Sequence, residues 1–131
     1  MAELALKKKA RPKNLDLTTI KLPLPGFVSI LHRVSGAGLF LMLPLLLWLF
    51  QSSLTSPETF ATFKAFASNP VAKLLLLGLL WAYLHHFCAG IRFLLLDVHV
   101  GIDLPSARMS SKIVLAVSLA ATVLLGVTLV W

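Results

Sequence analysis

Charge is scarce in this chain. Only 13% of its 131 residues are charged against 58% that are hydrophobic, so a soluble domain of this length would lack the polar surface to cover its apolar side chains. Cysteine is nearly absent too. The one present, Cys88, excludes an intrachain disulfide and reads as a small packing residue inside an apolar stretch. The sequence also lacks metal-spaced cysteines, a phosphate-cradling glycine loop and a nucleophile–base pair, so it carries no chemistry of those kinds by itself. It has no internal repeat and length for one domain. A soluble helical bundle would need polar residues recurring every 3.6 positions. Stretches such as Leu74-Leu75-Leu76-Leu77-Gly78-Leu79-Leu80 and Val123-Leu124-Leu125 have none.

What is abundant is long apolar runs. A helix needs roughly 20 mostly apolar residues to cross the hydrocarbon layer, and three runs meet that length. They predict an all-α membrane protein with spans over about 27–54, 71–98 and 113–131, preceded by a segment over 1–26. Pro44 is a candidate kink in the first span, and Lys73 is close enough to the start of the second to snorkel. Residues 55–69 read as a loop.

Lys7, Lys8, Lys9, Arg11, Lys13 and Lys21 precede the first span, whereas the loop over 55–69 carries only Lys64. This asymmetry predicts a cytoplasmic amino terminus and, after three crossings, a periplasmic carboxyl terminus. The net charge of +7 then reflects lipid headgroups or a cytoplasmic partner; no aromatics interleave with the basic cluster as nucleic-acid binding would favour. Ala10 to Pro25 is polar, proline-punctuated and includes Asp16, unlike a signal peptide, so the amino terminus is expected to be retained.

Ionisable groups at a bilayer centre cost on the order of 3 kcal/mol each and usually mark a site. Here they cluster in Ser29-Ile30-Leu31-His32-Arg33-Val34-Ser35-Gly36 and in the stretch from His85-His86 through Gly90-Ile91-Arg92 to Asp97. Ser29, Arg33 and Gly36 stand at i, i+4 and i+7, so a hydroxyl and a guanidinium share a face suited to a polar carbonyl group. Gly78, Ala82, His86 and Gly90 repeat every four residues, a groove of small residues holding one imidazole, which a helix or a flat cofactor could approach. His85 falls on another stripe with Arg92. His86 lies roughly 9 Å deeper than Arg92 at 1.5 Å per residue, an arrangement that suits a haem whose iron is held deep while its propionates reach two arginines. The alternatives are that Arg33 and Arg92 snorkel as topology anchors and that His86 bonds a neighbouring helix. A cofactor-free assembly anchor of another respiratory complex would need the spans but not a buried histidine. A proton-coupled transporter would need a mid-membrane acid, and Asp97 sits too near a span end.

Arg11-Pro12-Lys13-Asn14-Leu15-Asp16-Leu17 followed by the Ser29–Gly36 stretch closely resembles the start of the cytochrome b membrane-anchor subunit of bacterial succinate dehydrogenase. His86 through Gly90-Ile91-Arg92 to Asp97 resembles that family's second-span motif at the same spacing, and the similarity extends from about Arg11 to Trp131. The resemblance implies a multi-pass subunit of the bacterial inner membrane, not catalytic alone. It implies pairing with a second small membrane anchor and attachment of the flavoprotein and iron–sulfur subunits on the cytoplasmic face. It further implies a haem b shared with the partner anchor, with His86 as one axial ligand, and ubiquinone bound by Ser29 and Arg33. Many members carry His after the Gly-Ile-Arg triplet where this chain has Phe93, which leaves His32, Arg33 or Arg92 to hold the propionates.

Overall fold

The computed structural model of the chain describes Asp16 and residues 19–129. The basic cluster from Lys7 to Lys13, the motif residues Arg11 to Leu15 and Leu17, and Trp131 lie outside the described residues. Within them the chain forms four helices: α1 (Leu24–Leu54), α2 (Pro57–Ser68), α3 (Pro70–Asp97) and α4 (Leu104–Leu129). Three of these, α1, α3 and α4, are long and apolar enough to cross a membrane. At 31 residues α1 extends about 46 Å, longer than a hydrocarbon core of roughly 30 Å, so it tilts or projects beyond it. Pro44 stands inside α1, which continues through it to Leu54.

Local chemistry sets the boundaries. Pro57 and Pro70 each open a helix where the missing N–H costs nothing. Ser56 caps α2 through a reciprocal box: its Oγ accepts from the Thr59 N–H at 3.2 Å while Thr59 Oγ1 accepts from the Ser56 N–H at 3.0 Å. Asn69 Oδ1 accepts from the N–H groups of Val71 at 2.9 Å and Ala72 at 3.3 Å to start α3. At the other end of α3 the Val100 N–H returns to the Leu95 carbonyl and the His99 N–H to that of Leu96, both at 2.9 Å. This is the Schellman closure, with His99 at φ 64° in the position that glycine usually takes. His99→Gly should therefore stabilise the turn by up to about 1 kcal/mol, read as a rise in the thermal midpoint of the assembled protein; no rise would mean that the imidazole has a compensating role.

One expectation needs correction. The segment over 55–69 is not a loop: most of it is α2, short and comparatively polar. The last helix begins at Leu104, nine residues before the apolar run that opens at Ile113, and its first turns carry Arg108 and Lys112. Asp103 helps to start it, accepting the Ser106 N–H at 3.0 Å. That hydrogen bond, with the Ser106 side chain second, holds the Asp103 carboxyl below its ordinary value. A depressed carboxylate contributes above its unfolded value, and the contribution disappears as pH falls through the folded one. Protection of the Ser106 amide, its exchange rate relative to the intrinsic rate at the same pH, should therefore fall on acidification through that range, and Asp103→Ala should show the low protection already at neutral pH.

α3 is the central element, packed against both α1 and α4. The packing inverts that of a soluble bundle. Among the described residues only Val28, Leu49, Ala72, Ala89 and Val114 are buried and apolar, whereas Ser35, Ser52, His85, Arg92, Ser111, Ser118 and Thr122 are buried and polar. The buried hydroxyls of Ser111, Ser118 and Thr122 bond carbonyls of their own helix at 2.7–3.1 Å, which lets small polar residues pack helices closely in an apolar medium. Gly126 marks one close approach, since a Cβ there would come 2.6 Å from Leu77 Cδ1. Large apolar residues such as Phe40, Leu41, Phe50, Leu94 and Leu124 face outward with more than 60% of their surface exposed. Such a surface is stable only against lipid or other membrane helices.

Candidate functional site

The polar segments of α1 and α3 meet where Ser35 and Gly36 face His86. His86 Nδ1 stands 2.9 Å from the His32 carbonyl oxygen and 3.3 Å from Ser35 Oγ, and the Ser35 hydroxyl donates to that carbonyl at 2.9 Å. A carbonyl only accepts, so the proton of a neutral imidazole resides on Nδ1. Nε2 then carries the lone pair and has no hydrogen-bond partner among the described residues. The His32 ring stacks on that of His86 with centroids 4.1 Å apart and planes 8° from parallel. A Cβ at Gly36 would come within 2.7 Å of His86 Cε1; hydrogen is the only side chain at 36 that leaves the ring in place. Gly90 lies beneath His32, whose Nε2 is 3.8 Å from where a Cβ would stand.

The four-residue repeat of α3 thus divides in two. Its His86–Gly90 half is covered by α1, while its Gly78–Ala82 half opens onto an apolar cavity of about 390 Å³ lined also by Leu31, Val34, Ser35 and Gly38. His85 points elsewhere, as its separate stripe requires. It is fully buried, shares the interior stripe of α3 with Ala89 and Arg92, and neither ring nitrogen has a hydrogen-bond partner. The Val28 carbonyl is near it but outside bonding geometry.

Ser29 and Arg33 are paired: Arg33 Nη2 donates to Ser29 Oγ and Nε to the Ser29 carbonyl, each at 3.3 Å. Both have exposure to the outside of the bundle. Arg92 is differently placed. The residue is 5% exposed and its guanidinium is turned to α4, Nε donating to Ser110 Oγ at 2.9 Å and Nη2 to the Ala107 carbonyl at 3.5 Å. Phe93 lies between the two groups, its ring centroid 5.0 Å from that of His32 and 5.5 Å from the Arg92 guanidinium carbon. The sequence pointed to Ser35 only as part of a motif and to Gly36 only as a small residue on the Ser29–Arg33 face. Their support of His86 depends on the register between α1 and α3, to which the sequence of either helix alone gives no clue.

Three apolar spans with a polar cluster on α1 and α3 make this a membrane-embedded helical subunit. Residues 7–125 match the family model of the succinate dehydrogenase/fumarate reductase transmembrane subunit, and the chain belongs to that family. Over 118 residues, 89% of this chain and 94% of the relative, it is 40% identical to the succinate dehydrogenase cytochrome b556 subunit of Coxiella burnetii. It is 32% identical over 114 residues to the subunit of the same name from Paracoccus denitrificans (87% and 88% covered) and 30% identical over 117 residues to that of Rickettsia felis (89% and 91%). It is a multi-pass protein of the bacterial inner membrane.

Proposed function

We propose that this chain is the larger membrane anchor of a succinate:quinone oxidoreductase, helping to bind haem b and ubiquinone and attaching the flavoprotein and iron–sulfur subunits to the membrane. The observation that carries this reading is the state of His86: with Nδ1–H on the His32 carbonyl, its Nε2 lone pair is the one a haem iron takes, and ligating histidines characteristically donate their other N–H to such an acceptor. A second small anchor subunit would supply the other protein ligand to the haem. His32 and Arg33 are the propionate partners favoured by this placement; Arg92, the third candidate, has its guanidinium on the α4 side. When bound, haem b supplies one-electron redox capacity inside the membrane. A reduced-minus-oxidised optical spectrum of the purified complex tests the reading, since a cofactor-free anchor gives no b-type absorption bands.

The quinone is substrate. Electrons leave succinate on the flavoprotein and pass through the iron–sulfur subunit to ubiquinone, which takes up two electrons and two protons to become the quinol. Ser29 donates its O–H to a quinone carbonyl. Because its oxygen already accepts from Arg33, the hydroxyl is polarised and held toward donation. Arg33 remains charged throughout and stabilises negative charge developing on the quinone oxygen.

In this reading the amino terminus is cytoplasmic and α2 lies on the periplasmic side. A cysteine placed at Ala61, exposed on α2, should react with an impermeant thiol reagent in intact spheroplasts. Labelling only after lysis would invert the topology and move Ser29 and Arg33 away from the iron–sulfur subunit. Gly36→Ala should displace the His86 ring and weaken or abolish the low-spin haem signal in assembled complex, whereas Gly38→Ala, with open space at its Cβ, should not. Equal spectra from the two variants would count against His86 as ligand.

A further inference from the structure

Arg92 carries its charge at the packed contact between α3 and α4. The residue is 5% exposed, and its guanidinium donates to one hydroxyl and one carbonyl. It forms no ion pair among the described residues. The acids at this end, Asp97 and Asp103, are both exposed, and Asp103 is engaged with the Ser106 N–H. A charge withdrawn this far into a helix contact is costly without a counter-charge, and burial is ordinarily accompanied by one. Nη1 carries no hydrogen bond to the protein, yet it is not among the fully enclosed polar atoms. It therefore has open space to donate into. That space is a cavity of about 250 Å³ between the end of α3 and the start of α4, lined by Arg92, Ser106, Ser110, Leu95, Met109 and Ile113 among others.

The cavity wall is apolar apart from the guanidinium and the serines, and it lies where two spans reach the membrane surface. An anion that fits must be amphiphilic: an acidic head on Arg92, and a hydrocarbon part along Leu95, Met109 and Ile113. A haem propionate suits it poorly, because Arg92 and His86 point about 120° apart around α3 at 100° per residue. We propose that this cavity is a phospholipid site, in which the headgroup phosphodiester takes two donors of the Arg92 guanidinium, as planar forks do with phosphate oxygens, with an acyl chain in the apolar part. Ser110, already accepting from Arg92 Nε, fixes the direction of the fork.

The test uses the whole purified complex, stripped of lipid by detergent exchange and then supplied with phosphatidylglycerol in mixed micelles, with diacylglycerol, or with inorganic phosphate. Native mass spectrometry counts bound lipids, and the thermal midpoint is read on the same samples. The wild type should retain one phospholipid more than Arg92→Gln, and phosphatidylglycerol should raise its midpoint while leaving that of the variant unchanged. Ile113→Trp, which fills the apolar part without touching the cation, should lose the same lipid with an unaltered haem spectrum; it decides the matter if Arg92→Gln fails to assemble. Equal lipid retention by wild type and Ile113→Trp overturns the proposal. So does an equal midpoint rise with diacylglycerol, which lacks the phosphate, or with inorganic phosphate, which would make this a small-anion site.

Discussion

His86→Leu should abolish the low-spin haem spectrum of the assembled complex, and His85→Leu should leave it intact. The neighbouring imidazoles point about 100° apart around α3 and have opposite surroundings. His86 is oriented by the His32 carbonyl at 2.9 Å, a stacked ring and the gap at Gly36, all of which support a ligand at Nε2. His85 is enclosed, with neither nitrogen bonded. Its replacement by leucine, similar in bulk, removes two unsatisfied polar atoms and should cost little stability or none. Optical and electron paramagnetic resonance spectra of both variants decide the point. A low-spin signal that survives in His86→Leu would refute the ligand assignment.

Arg33→Leu should depress succinate–quinone turnover about 10- to 100-fold while electron transfer from succinate to a soluble dye stays near normal. The range corresponds to about 1.5–3 kcal/mol for a hydrogen bond involving a charged group, at 1.36 kcal/mol per tenfold in rate. The dye accepts electrons ahead of the quinone pocket, so it separates a pocket defect from an assembly defect. Ser29→Ala should show the same pattern more mildly, about 2- to 10-fold, because a neutral hydrogen bond is worth about 0.5–1.5 kcal/mol. Since the two side chains bond each other, the double variant should fall short of the product of the single effects. Equal loss of both activities in assembled enzyme would remove these residues from the quinone site. Because Arg33 is also a propionate candidate, the haem spectrum belongs on the same samples.

The parts of this structure legible in the sequence were those governed by one helix at a time. Span number follows from apolar run length, and the separation of His85 from His86, or the pairing of Ser29 with Arg33, follows from 100° per residue. What escaped depends on other information. α2 is announced by Ser56, Pro57 and Thr59, a capping signature that a search for 20-residue apolar windows passes over. The early start of α4 is hidden by Arg108 and Lys112, charges that end a hydrophobic run without ending a helix. The direction of Arg92, toward Ser110 and Ala107, is set by the packing of α3 on α4, and neither segment alone specifies it.

The inside-out packing of the bundle bears on how such a subunit survives in a cell. With five buried apolar residues among the described ones holding three spans together, the helices of a newly inserted copy gain little by staying side by side. Anything that binds the assembled form and covers its outer face then adds to its stability by mass action, as for any chain whose native state is completed by a bound component. An orphan copy should accordingly be the more readily degraded, and a pulse-chase of the subunit expressed with and without its partners reads the difference.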